Sequence, residues 1–195
     1  MITIDAEYRE VQKENLDDEV KLIKDDGLRL LVILALHAAP EYFFTMPAST
    51  TGKYHPSYAL GDGGLIRHTK AAVNIAEDLL KLEQNAFLSE AHHDNIIAAL
   101  ILHDSVKKGM DGSLWTTNEH PKDAAKLLRD TYESNKMFVN VDENTVDVVC
   151  KMIASHMGQW DYDGLLSKPE TEGEKFVHLC DYLASRKYLE YRKGQ

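Results

Sequence analysis

The sequence predicts an all-α fold, a single bundle of about six helices with one long ordered loop before the second helix. Three observations carry that expectation. Apolar residues recur at helical spacing along most of the 195 residues. Only one short segment, MFVNV at 137–141, reads as a strand. No internal repeat or low-complexity tract interrupts the pattern. With 44% apolar and 28% charged residues, the chain has the make-up of a globular protein with one buried core.

The elements follow in order. Residues 1–16 are charged and are expected to form a flexible extension of one domain spanning 1–195. Residues 17–38 carry apolar positions at helical spacing, with Gly27 as a weak point. From 39 to 67 the periodicity is lost, and three prolines and four glycines mark a loop. Loops of that length in compact domains are usually functional, and the aromatic residues of this one favour order. Helices are then expected at 68–82, at 89–102 with Ser89 as N-cap, and at 121–134, where Pro121 suits a first helical position. Two more are expected at 142–156 and 172–191.

The formal net charge of −10 argues against a broad basic surface for long nucleic acid. It leaves room for a small phosphorylated substrate, because bound cations set the local field whatever the overall charge. No apolar run approaches the roughly 20 residues needed to cross a bilayer. The acidic start MITIDAEYRE is unlike a secretory signal. Cys150 and Cys180 have no CxxC spacing and suit a reducing compartment. A cytoplasmic location is the resulting expectation.

Several of the nine histidines fall at the ends of predicted helices rather than along solvated faces. His68 opens one helix, His103-Asp104 closes the next, His120 precedes another and His156 closes the one after. Asp181 lies inside the semi-apolar run FVHLCDYLAS of the last helix. No local motif such as HExxH links them, so a site would be assembled from distant segments, as facing helices of a bundle can do. Imidazole nitrogen with carboxylate oxygen suits manganese, iron, nickel, cobalt or zinc. Each residue alone has a plainer reading as a helix-end cation or a satisfied polar group. His156, for example, precedes Met157-Gly158, a helix stop.

The order His68 … His103-Asp104 … His120 … His156 … Asp181 resembles the signature of HD-domain metal-dependent phosphohydrolases. GGLIRHT (63–69), LILHDSVKKG, NEHPKDAAKLL (118–128) and CDYLASRK (180–187) are each similar to family blocks, spanning about residues 42–188. Within the family, MPASTTGKYHPSYALGDGGLIRHT most resembles the HD domains of bacterial 3′–5′ exoribonucleases and relaxase-type proteins. His55-Pro56 stands where those have paired histidines.

The resemblance implies a metal-dependent phosphohydrolase acting on a phosphomonoester or phosphodiester of a nucleotide or short oligonucleotide, through attack by a metal-bound hydroxide. It implies two divalent ions (Mn, Fe, Ni, Co, Zn or Mg). His68, His103, Asp104 and Asp181 would hold the first, Asp104 would bridge, and His120 and His156 would hold the second. Asp104 and Lys107 would be catalytic, Lys107 contacting a phosphate oxygen, while His55 and Ser185 would contact substrate. The partner is then a small phosphorylated molecule, with neither a membrane nor an extended nucleic-acid surface. The alternative is a non-catalytic HD module that binds a nucleotide or a partner protein, against which the complete ligand set speaks. An HD-type oxygenase ranks lower because of Lys107. Of the remaining residues, His37 reads as a core histidine, His92-His93 as solvated surface, and His178 as core or as support for a ligand. Trp115, Trp160 and Tyr162 are candidates for lining the pocket or for ordinary packing.

Overall fold

A helix that is apolar on every side belongs inside a protein rather than on its surface. Residues 96–102, IIAALIL, are the clearest such stretch, and each is at most 1% exposed. The computed structural model describes residues 16–49, 51–88, 90–160, 164 and 166–190. Eight α-helices occur among them: α1 (Asp17–Lys21), α2 (Asp26–Ala38), α3 (Tyr42–Thr45), α4 (Gly64–Leu80), α5 (Glu90–Leu102), α6 (His120–Asn135), α7 (Glu143–Ser155) and α8 (Glu172–Ala184). No strand is present among the described residues. The all-α expectation holds, with six long helices and two short ones.

The apolar stretch makes α5 the central helix. It packs against α1, α2, α4, α6, α7 and α8. Around it α6 pairs with α7, α4 with α8, and α2 with α6. The surrounding helices contribute one face each, through Leu31 and Ala35 of α2, Ala72 and Val73 of α4, Val149 and Ile153 of α7, and Val177 of α8. Because α5 is enclosed, the residues that follow it, His103 and Asp104, emerge inside the protein.

Several boundaries differ from the sequence reading. The segment 17–38 is broken into α1 and α2, and the break is set from a distance. Buried Asp94 accepts the backbone N–H groups of Lys24 (2.9 Å) and Asp25 (2.7 Å). Asp25 then caps α2 by accepting the Leu28 N–H at 2.7 Å. His37 is exposed rather than in the core, because α2 buries only its other face. Residues 137–141 are irregular, not a strand: among the described residues no neighbouring strand offers partners for their backbone groups. Met137 and Phe138 face solvent while Val139 is buried.

The long loop contains α3 and a 3-10 turn, Ser57–Ala59. Helix α4 starts at Gly64, so His68 lies one turn inside it instead of opening it. The last helix ends at Ala184 rather than near 191, and a 3-10 turn, Lys187–Leu189, follows. Leu16 is fully buried. Residues 1–15 of the expected extension, the expected cap Ser89, and residue 191 lie outside the described residues. No described helix is long and apolar enough to cross a membrane.

Gly27 takes its place from tertiary packing. A Cβ there would lie 2.1 Å from the Asn140 carbonyl oxygen, so α2 crosses the 137–141 segment in direct backbone contact. Gly27→Ala is expected to destabilise the protein by about 1–3 kcal/mol, the usual cost of overpacking. Urea denaturation reads this as a lowered midpoint, whereas the helix propensity of alanine by itself would raise it.

Candidate metal centre

The segments around the cluster are held in place by short-range chemistry. Gly63 adopts φ 68° and Gly64 lies so close to the chain that a Cβ would sit 2.3 Å from the Ala59 carbonyl oxygen. That approach lets α4 start directly beneath the loop. The guanidinium of Arg67 donates to the carbonyls of Tyr58 (2.5 Å) and Leu60 (2.8 Å). The Tyr58 hydroxyl donates to the Ala184 carbonyl at 2.7 Å, and the Lys187 N–H donates to the Tyr54 carbonyl at 2.7 Å. These bonds stitch the loop bearing His55 to α4 and to the chain after α8. On the opposite side, the Tyr42 hydroxyl donates to the Gly109 carbonyl (2.7 Å) and accepts the Lys108 N–H (2.9 Å). It thereby fixes the turn that carries Lys107. Burial pushes the Tyr42 phenol up to about 12, so it remains a donor at any ordinary pH.

Six side chains from five segments converge in two groups. The first is His68 of α4, His103 and Asp181 of α8; the second is Asp104, His120 of α6 and His156 at the end of α7. All are buried except Asp181, which is partly open. In the first group, His68 Nε2 lies 3.0 Å from Asp181 Oδ1 and 3.3 Å from His103 Nε2. In the second, His120 Nε2 lies 3.3 Å from His156 Nε2 and 3.2 Å from Asp104 Oδ1. Asp104 faces both groups. Its Oδ2 is 3.6 Å from His103 Nε2 and 3.8 Å from His68 Nε2, while its Oδ1 is 3.8 Å from His156 Nε2.

The tautomers follow from the partners of the other ring nitrogens. His103 Nδ1 contacts the Leu100 carbonyl at 2.7 Å, His120 Nδ1 that of Thr117 at 2.6 Å, and His156 Nδ1 that of Ile153 at 2.7 Å. A carbonyl only accepts, so each Nδ1 carries a proton and each ring turns its Nε2 into the cluster, where the neutral form presents a lone pair. In their neutral forms His120 and His156 set two Nε2 lone pairs beside the Asp104 carboxylate, three acceptors that face one another. A divalent cation resolves that arrangement, and mixed imidazole and carboxylate donors suit one. The residues present therefore fit a metal. His178 donates from Nδ1 to the His156 carbonyl at 2.7 Å, supporting the backbone of that ligand candidate. His93, expected at the surface, is half-buried and paired with Glu77 at 2.6 Å.

Charge balance at the site centres on the carboxylates. Burial by itself would raise the Asp104 pKa, but Lys107, His103 and His120 outweigh it and hold the group well below the usual carboxylate range. Burial works the same way on Asp181, and hydrogen bonds with His103 and His68 overcome it. His156 is pushed down to about 3 by burial and by the positive charge His103 and His120 can carry. His55 is lowered to about 4 by burial and by His68 and Lys107. Lys107 Nζ donates to Asp104 Oδ2 at 2.5 Å.

A cavity of about 360 Å³, within the usual range for small-ligand sites, opens onto the cluster. Asp104, His120, His156 and Asp181 line it, and so do His55, Lys107 and Ser185. The Ser185 hydroxyl is already engaged: it donates to the Tyr182 carbonyl (2.8 Å) and accepts from Arg186 Nη2 (2.8 Å). Sequence reasoning missed Tyr54, Thr116, Tyr182 and Arg186, which also line the cavity. The available signal was adjacency, since Tyr182 follows Asp181 and Arg186 follows Ser185. Trp160 lines the cavity, whereas Trp115 is 70% exposed and does not. Tyr162 lies outside the described residues.

The HD-domain family model matches residues 65–186, well over half of the chain. The chain therefore belongs to the HD-domain family, whose members are in general metal-dependent hydrolases. Comparisons with curated proteins and with solved structures matched nothing.

The lowered histidines set the acid behaviour of the cation-free protein. Between the unfolded histidine value of roughly 6.5 and their folded values, His55 and His156 bind protons only when the chain is unfolded, so acidification favours unfolding. His103 is the opposite case. Although burial lowers its pKa, Asp104 and Asp181 raise it above the ordinary value, so its contribution is complete below roughly pH 6.5 and is lost as pH rises through the folded value. Stability in the presence of EDTA should thus fall from about pH 6.5 to 4. His55→Gln should make that fall shallower in thermal melts across the same range.

Proposed function

We propose that this chain hydrolyses a phosphomonoester or phosphodiester bond of a nucleotide or short oligonucleotide, with two divalent cations as cofactors. The observation that carries the reading is the division of Asp104, one carboxylate oxygen toward each group of ligand candidates. His68, His103, Asp104 and Asp181 would hold one ion, and Asp104, His120 and His156 the other. When bound, such ions lower the pKa of water and neutralise charge on phosphoryl oxygens.

The protein's own residues have separate tasks. The carbonyl-bound Nδ1 protons keep His103, His120 and His156 aimed with Nε2 toward the cluster, so the ligands need little rearrangement. Lys107 balances Asp104 and lines the cavity, so its ammonium group can turn to a phosphate oxygen as charge builds there. His55, held neutral and with its buried Nδ1 unpartnered among the described residues, offers the substrate a hydrogen-bonding group. Ser185 would act through Arg186, whose guanidinium it orients. The size of the cavity, about 360 Å³, supports a single nucleotide, or the last nucleotide of a short strand, rather than the body of a polymer.

The test is metal analysis combined with turnover of a phosphoester panel in manganese. Asp104→Ala is expected to lose both bound metal and activity, because it removes a ligand from each ion. Activity persisting in that variant with unchanged metal content would overturn the reading. Lys107→Ala is expected to keep its metal while kcat falls by roughly 10²–10³, the usual loss on removing one transition-state charge contact. Measuring kcat and metal stoichiometry on the same preparation separates the two effects.

A further inference from the structure

The wall of the cavity holds an aromatic group that the hydrolytic chemistry leaves without a task. Trp160 and Tyr182 have ring planes parallel to within 4°, with centroids 6.5 Å apart. The Arg186 guanidinium lies 4.4 Å from the centre of the Tyr182 ring. Trp160, Tyr182 and Arg186 line the same cavity as Asp104 and Lys107. Each aromatic residue is also a near neighbour of a ligand candidate in sequence: Tyr182 follows Asp181, and Trp160 lies four residues after His156. Consecutive Cα atoms are about 3.8 Å apart, so the rings are tethered close to the cluster.

Parallel rings in a wall accept a third flat ring by offset stacking, and this preference is sequence-tolerant because every nucleobase has a π face. A sugar phosphate or an alkyl phosphate has no use for such a surface. The guanidinium adds a planar donor group beside the rings, held there by two hydrogen bonds from Nε (3.2 Å) and Nη2 (2.8 Å) to Ser185 Oγ. The geometry points to a nucleobase subsite formed by Trp160 and Tyr182, with Arg186 at its side, which places the attached phosphate at Lys107 and Asp104. The inference rests on the nucleotide phosphohydrolase reading and specifies which part of the substrate the protein recognises away from the scissile bond. Ser185 is on this view a positioning residue that sets the Arg186 plane.

The closing experiment reads binding directly and needs no turnover. In a Trp115→Phe background the remaining tryptophan is Trp160, and its fluorescence reports stacking. The full-length protein in EDTA is titrated with the four nucleoside 5′-monophosphates, with ribose 5-phosphate and with phenyl phosphate. Saturable quenching by at least one nucleotide, with none by ribose 5-phosphate and weaker binding of phenyl phosphate, is the expected result. Tyr182→Ala should weaken nucleotide binding by about 5- to 150-fold, the range for one base–aromatic stack. Tyr182→Phe, which keeps the ring, should restore it and guards against a folding artefact. Absence of quenching by all four nucleotides, or equal binding of phenyl phosphate, would overturn the subsite. Turnover without base-dependent quenching would discard the subsite and keep the hydrolase, while quenching without turnover would keep the subsite and discard the hydrolase.

Discussion

Asp104 is 2% exposed, and a buried carboxylate has to be compensated or protonated. Much of the arrangement around it follows from that requirement. Lys107 approaches from the turn after α5, His103 from the adjoining position, and His120 and His156 from two other helices. No one of these lies close to all the others in sequence. The carboxylate thus acts as the point at which α5, α6 and α7 are brought to a common register. Removal of Asp104 would leave Lys107 without its carboxylate partner and each group of ligand candidates short of a carboxylate oxygen, which ties the local stability of the site to its chemistry.

The outer parts of the fold serve to keep this centre rigid. Tyr42 grips the turn that carries Lys107, Arg67 grips the loop that carries His55, and Tyr58 reaches the end of α8. All three use backbone carbonyls or N–H groups as anchors, so the loops are fixed by hydrogen bonds that do not depend on neighbouring side-chain identity. The described residues of the segment 39–67 hold their course for this reason, despite its prolines and glycines.

How much of this was legible in the sequence depends on the distance over which each feature is determined. The six long helices could be read because apolar periodicity is local. The ligand candidates could be read because histidines at helix ends, in that order, form a pattern that survives without knowledge of the packing. The break between α1 and α2 could not, since Asp94 imposes it from a remote helix. His37 was misplaced because an apolar helix does not declare which of its faces is exposed. Residues 137–141 have strand-like composition, but a strand needs a neighbour, and none is there among the described residues. The aromatic wall escaped notice because Tyr182 and Arg186 are ordinary residues for an amphipathic helix and its exit.

The bonds from His103 and His156 to carbonyls three residues earlier have a consequence for how this sequence can vary. Those carbonyls belong to the last turns of α5 and α7, where helical oxygens lose their usual partners. The end of each helix thus supplies the acceptor that orients the ring. One residue inserted into either helix would turn everything beyond it by about 100°, carrying the imidazole away from the centre. Descendants of this sequence can exchange one buried aliphatic for another along these helices with little harm. They cannot readily lengthen or shorten them, so drift here is permitted in composition and barred in length.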